Sequence, residues 1–129
     1  AMDGEGATKF VKINVKNALS ASDAKKAALK AANSLLVKTA FFGQALYMGR
    51  LVSAVSSSGA GFVPEKMDVF INGKKCIERG AEIQSKNLVL EMKKRKIEIT
   101  VDLKAGSGEF FVLTTDLSYD YVKINADYS

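Results

Sequence analysis

Ile97, Ile99, Val101 and Leu103 alternate without a break against Glu98, Thr100 and Asp102. Successive side chains of a strand point to opposite faces, so this segment has one apolar face and one wet face. Phe10–Val15 repeats the pattern, with Val11, Ile13 and Val15 set against Lys12, Asn14 and Lys16. A sheet built from such strands must bury its dry side under something apolar, and the chain offers a helix for the purpose. Ser20 can serve as N-cap, with Asp23 in the capping-box position three residues on. Ala24, Ala27, Ala28, Ala31 and Leu35 then recur at helical spacing through about Ser34, while Lys25, Lys26 and Lys30 take the other side. An alanine face permits close approach to a sheet.

The rest of the chain supplies further strands and turns. Lys38–Phe42 is short and apolar and breaks at Gly43. A second helix is expected over Leu46–Val55, with Leu51, Val52 and Val55 inward. Ser56–Gly61 is rich in serine and glycine and reads as a flexible connection. Pro64 precedes an expected strand at Met67–Ile71. Asn72-Gly73 signals a type I′ hairpin, because both of its central positions need positive φ, and Lys75–Glu78 is the return strand. A helix is expected from about Ser85 to Met92. Lys93-Lys94-Arg95-Lys96 reads as a solvated turn leading into the Ile97–Leu103 strand. Ala105–Gly108 turns the chain so that Phe110–Thr115 pairs back. Asp120–Asn125 is expected as a short helix or turn. The sum is a single α+β domain over residues 1–129, a mixed or antiparallel sheet of about five strands with two to three helices packed on it.

Composition narrows the chemistry. Histidine is absent, which removes the commonest general base near neutral pH and the commonest metal ligand. No Ser–His–Asp arrangement is available. The single cysteine, Cys76, forms no internal disulfide and no cysteine-rich zinc site, and it reads as a structural half-buried thiol. No metal site is expected. The net charge is +5, but the one dense basic run is short and carries no interleaved aromatic residue, so no nucleic-acid partner is expected. No apolar run approaches the roughly 20 residues of a membrane span, and no signal peptide is visible. A cytoplasmic protein without a membrane partner is the expectation.

Three blocks carry the chemistry that remains. The first is Asp3-Gly4-Glu5-Gly6-Ala7-Thr8-Lys9. It is glycine-rich, but it lacks the Walker spacing and leads into a strand, whereas a phosphate loop leads into a helix. The second is Lys38-Thr39-Ala40-Phe41-Phe42-Gly43-Gln44 with Gly49-Arg50. The third is Asp120–Tyr128, which contains Asn125-Ala126-Asp127-Tyr128 ahead of Ser129. In order and spacing the three blocks resemble the C-terminal part of the bifunctional ornithine acetyltransferase/N-acetylglutamate synthase family of arginine biosynthesis. The resemblance runs from about Asp3 to the last residue. It departs from the family pattern at Ala45-Leu46-Tyr47-Met48, where relatives carry an Asp and a Trp, and at the end, which is one residue shorter.

The resemblance implies the following. Family enzymes cleave themselves, and the new N-terminal threonine of the second, beta chain carries the acetyl group between N-acetylornithine and glutamate. Acetyl-CoA is a co-substrate in bifunctional members, and no resident cofactor is implied. That threonine lies upstream of the first block, so no catalytic residue is expected in these 129 residues, and the chain alone is expected to be inactive. Read alone, Glu5 is a loop carboxylate; by resemblance it holds the substrate's α-amino group. Asn125, otherwise a turn residue, is implied to reach the same pocket, with Ser129 as the terminal hydroxyl. The implied partners are the alpha chain and the N-terminal part of the beta chain, in an assembly of two alpha and two beta chains, with glutamate, ornithine and N-acetylornithine as small molecules. The rival expectation is a non-catalytic structural or basic binding module.

Overall fold

The computed structural model describes residues 10–38, 48–83, 86–92, 94–115 and 122–124. The apolar segment ending at Gly43 and the glycine-rich block around Glu5 fall outside these residues. So do Gln44, Ser85, Tyr119, Tyr121, Asn125 and Ser129, and the side chain of Leu35.

The backbone forms one mixed sheet with helices on one side. In chain order the elements are β1 (Phe10–Ala18), α1 (Ala21–Lys38), α2 (Met48–Ser56), a 3-10 turn (Pro64–Lys66), β2 (Asp68–Ile71), β3 (Lys74–Glu78), β4 (Ala81–Glu82), α3 (Lys86–Met92), β5 (Lys96–Asp102), β6 (Gly108–Thr115) and β7 (Val122–Ile124). The strand order is β4-β3-β2-β5-β1-β6-β7. Only β1 and β5 pair in parallel; the other neighbours are antiparallel. The α+β class and mixed sheet are as expected, but the sheet has seven strands, not about five.

Three local expectations differ. Phe110–Thr115 does not return against Ile97–Leu103. Instead β1 lies between β5 and β6 and pairs with both, Ile13 facing Ile99 on one side and Val112 on the other. The most apolar strand thereby takes the centre, where both its edges are satisfied. Residues 122–124 are a strand and not a helix or turn, since Val122 and Ile124 face Thr114 and Val112 of β6. The third difference is β4, which a second tight turn folds onto β3. That turn is Arg79-Gly80, with φ of 51° and 83°, the same pattern as Asn72-Gly73 at 51° and 83°. The sequence Arg-Gly is a weaker turn signal than Asn-Gly, so this hairpin does not announce itself.

Register sorts the side chains into two faces. Val11, Ile13, Val15, Val69, Ile71, Ile97, Ile99, Val101, Phe110 and Val112 share one face and are buried. Helix α1 lies over β1 and β6 on this face and also packs on α2. Its Ala24, Ala27, Ala28, Ala31 and Ala32 are buried, so helix and sheet meet closely. Leu51 and Val55 of α2 and Leu88 of α3 complete the same core.

The α1 start is half of what the sequence promises. The Ser20 hydroxyl accepts from the Asp23 amide at 3.1 Å, as an N-cap should. The Asp23 carboxylate, however, accepts from the Gly61 amide at 3.0 Å rather than turning back to Ser20. That bond fastens the loop after α2 to the head of α1. The same loop is tied at its start, where the Ser57 and Ser58 hydroxyls donate to the Ala54 and Val55 carbonyls. The Ser56–Gly61 segment is therefore a bonded connection, not the loose one its composition implies.

Candidate functional site

The two strands that lead to the expected pocket residues lie close together. Glu5 precedes the start of β1 by five residues, and Asn125 directly follows β7. Strand β6 separates them, and β1 and β7 both run antiparallel to it, so they run the same way. Ile13, Val112 and Ile124 form one cross-strand row. Phe10 is three residues back from that row, so Phe10 and Ile124 lie about 14 Å apart, given strand spacing near 4.8 Å and a rise near 3.3 Å per residue. Glu5, Asn125 and Ser129 themselves lie outside the described residues. The central position of β1 and the β6–β7 pairing are what bring the two approaches to one part of the sheet.

Cys76 is buried and half of its neighbourhood is apolar core. The β2–β3 register slips between Val69 facing Ile77 and Phe70 facing Lys75, so Cys76 is the extra residue of a bulge. Both Cys76 and Ile77 are fully buried. Burial pushes the thiol up to about 12, which leaves it protonated at neutral pH and unsuited to nucleophilic work. It is more deeply buried than the sequence implies.

Two charged groupings lie on described residues, and both are structural in their bonding. At one end of the sheet, Asp68 accepts from the Arg79 amide at 2.9 Å and sits 3.0 Å from the Lys104 ammonium and 3.7 Å from that of Lys75. Burial works against its ionisation, but these partners outweigh it and hold the carboxyl below its ordinary value. Asp68 in turn raises Lys104. The neighbouring Asp102 accepts from the Asn17 amide nitrogen at 2.9 Å and from the Lys104 backbone at 3.0 Å. Asn17 and Lys104 both have positive φ, at 59° and 53°. The pair of aspartates thus clamps the ends of β1, β2 and β5.

The second grouping centres on Glu91 of α3. Lys94 lies 2.9 Å away, Lys74 lies 3.5 Å away, and the Asn72 side chain donates at 2.8 Å. The Lys94 contact, then the Asn72 bond, pull the carboxyl down to about 2. Asn72 is the hairpin residue, and its side-chain oxygen also accepts from the Glu98 amide at 2.8 Å. One asparagine therefore shapes the turn and joins α3 to β5. Lys94 belongs to the basic run, which is a turn as expected. Among the described residues no three His, Cys, Asp or Glu side chains are grouped to hold a metal ion. None of the described helices is long and apolar enough to cross a membrane.

With this geometry in view, comparison with known proteins is decisive. The family model described as "ArgJ family" matches residues 1–129. The chain belongs to the ArgJ family. Its sequence is 48% identical over 132 residues to the arginine biosynthesis bifunctional protein ArgJ of Geobacter sulfurreducens, covering 98% of this chain and 33% of that protein. It is 45% identical over 138 residues to the glutamate N-acetyltransferase of Methanocaldococcus jannaschii, covering 98% of this chain and 34% of that protein. The fold superposes on the crystal structure of ArgJ from Bacillus halodurans with a TM-score of 0.76 and 31% identity, over 94% of this chain and 58% of that one. The chain therefore spans about a third of the length of these curated ArgJ relatives.

Proposed function

We propose that this chain is the C-terminal part of an acetyltransferase that moves an acetyl group from N-acetylornithine to glutamate. The observation that carries the proposal is similarity along nearly all of the chain to proteins named glutamate N-acetyltransferase and bifunctional ArgJ. The acetyl group passes through a threonine ester on the upstream part, so the transfer is ping-pong, with acetyl-CoA as a further donor in a bifunctional parent. The whole enzyme is an assembly of two alpha and two beta chains, with this chain at the end of beta.

Within the pocket, Glu5 pairs with the ammonium of the amino-acid substrate. A carboxylate in a water-poor site binds that group through charge-assisted hydrogen bonds. Asn125 donates and accepts at once and so can read a carboxylate or an acyl oxygen, and Ser129 adds a hydroxyl. The approach of β1 and β7 to one part of the sheet supports a shared pocket for these residues. The 129-residue chain by itself has no transfer activity.

The test is to express the product that includes the coding sequence ahead of Ala1 and to follow ornithine release from N-acetylornithine and glutamate. Turnover by the longer product and none by the 129-residue chain is the expected result. A longer product without turnover would sink the reading in favour of a non-catalytic module. In the active product, Glu5→Ala should raise KM for the amino-acid substrates, since losing one partner of a desolvated charge pair costs about 2–5 kcal/mol. Unchanged KM values for both would remove Glu5 from the pocket.

A further inference from the structure

We infer that the uncovered face of the sheet is the seat of the upstream part of the same polypeptide. The inference rests on the proposed function to the extent that both place more of the protein ahead of Ala1. What the structure adds is where that part sits and what holds it.

All three helices join the core on one side of the sheet, and among the described residues nothing packs on the other. The uncovered side is not an ordinary wet face. Register lines up Phe70, Thr100, Asn14 and Phe111 in one cross-strand row, two aromatics and no charge across four strands. Leu113 and Phe10 stand nearby, 36% and 47% exposed. The charged groups lie in the rows on either side, and they are already matched within the chain. Lys12 faces Glu98 across the parallel pair and stands 4.5 Å over the Phe111 ring. Asp68 is held by Lys104 and Lys75. A neutral, partly aromatic centre with paired charges around it is the anatomy of a protein interface. Charges that carry their partners with them are covered at lower cost than lone ones.

The size fits as well. Four strands about 4.8 Å apart and seven residues rising about 3.3 Å each make a platform of roughly 20 Å on a side. That accepts a second sheet or a pair of helices. The chain covers only 33% of the Geobacter protein and 58% of the Bacillus halodurans chain, so the relatives possess polypeptide enough to cover it. The upstream part enters the domain at Phe10, on the rim of this face, through residues 1–9. A tether of that length spans at most about 30 Å and keeps the occupant at high effective concentration.

Cysteine labelling tests this in the longer product. Cys76 is fully buried and gives a quiet background. Phe10→Cys and Leu113→Cys report the uncovered face, and Lys30→Cys reports exposed α1 surface. We expect native-state labelling at positions 10 and 113 to be at least about tenfold slower than at position 30, with all three equal in urea. The slow rates should not change on dilution. Equal native rates at the three positions would overturn the inference. Protection that disappears on dilution would also overturn it, by assigning the face to a second copy. Absence of any in-frame coding sequence ahead of Ala1 would do the same. Two face positions guard against one variant failing to fold. Labelling needs no acetyl transfer, so a protected but inactive product would refute the proposed function alone.

Discussion

The two faces of the sheet are made by the same strands and obey different rules. On the helix side, Ile13, Val15, Val69, Ile71, Ile99 and Val101 are completely buried and interlock with alanines of α1. Position there is governed by volume, because a close-packed interior tolerates neither a void nor an excess methylene. On the other side the alternate residues are Lys12, Asn14, Lys16, Phe70 and Thr100, all half-buried, and order comes from paired charges at the strand ends. The difference teaches that a strand's alternation specifies two surfaces, and that only one of them is completed by the rest of these 129 residues.

The sharpest way to break the comparison is to truncate one neighbour from each face. Ile13→Ala leaves a cavity under α1 and should destabilise by about 2–5 kcal/mol. Asn14→Ala, one residue along and on the other face, should stay within about 0.5 kcal/mol in the 129-residue chain. Urea unfolding of both variants measures the gap. Comparable losses would show that the uncovered face is already packed in this chain and that the distinction is false.

The helix side should also resist gain of volume. Ala28 is fully buried where α1 meets the sheet. Ala28→Leu must push the helix outward and should cost about 1–3 kcal/mol. A neutral Ala28→Leu in the same unfolding measurement would mean that α1 rides higher on the sheet than the contacts show.

Acid sharpens the account of the strand-end charges. Asp68 and Glu91 both have carboxyls held below their ordinary values of 3.8 and 4.5, Glu91 at about 2. A depressed folded pKa means that the unfolded chain binds protons first. The stabilisation is therefore complete above the ordinary values and is lost as pH falls from about 4.5 toward 2. Stability measured between pH 6 and pH 2.5 should fall, and Asp68→Asn should flatten part of that fall while costing about 1–2 kcal/mol at neutral pH. A slope unchanged in Asp68→Asn would show that Lys104 and Lys75 do not set its ionisation.

How much of this was legible in the sequence follows the same division. The helix-side strands, the alanine face of α1 and the Asn72-Gly73 turn are local patterns, and they are found where period and turn chemistry put them. The place of β1 between β5 and β6 is not local: the alternation in Ile97–Leu103 and Phe110–Thr115 fits a hairpin equally well, and only burial of β1 on both edges decides it. Strand β7 was hidden because three residues carry too short a period. Asp23 was misdirected because its bond partner, Gly61, lies 38 residues away. For the pocket, Glu5, Asn125 and Ser129 came from resemblance in short motifs. No local period encodes a site whose other walls lie in polypeptide beyond these residues.

The smallest expected effect probes the uncovered face itself. Lys12 stands over Phe111 with its ammonium 4.5 Å from the ring centroid and faces Glu98 across the sheet. On an exposed surface a cation over a phenyl ring contributes about 0.5–1 kcal/mol, and removing the lysine also uncovers part of the ring. Lys12→Ala should therefore cost no more than about 1 kcal/mol in the 129-residue chain, with Lys12→Arg close to neutral. Under an occupying upstream part, the same contact would be shielded from water and Glu98 would lose its facing cation in a drier setting. The cost of Lys12→Ala should then grow to about 2 kcal/mol or more in the longer product. Equal costs in the two would mean that this row stays wet in the whole protein, and that the faces differ in side chains but not in surroundings.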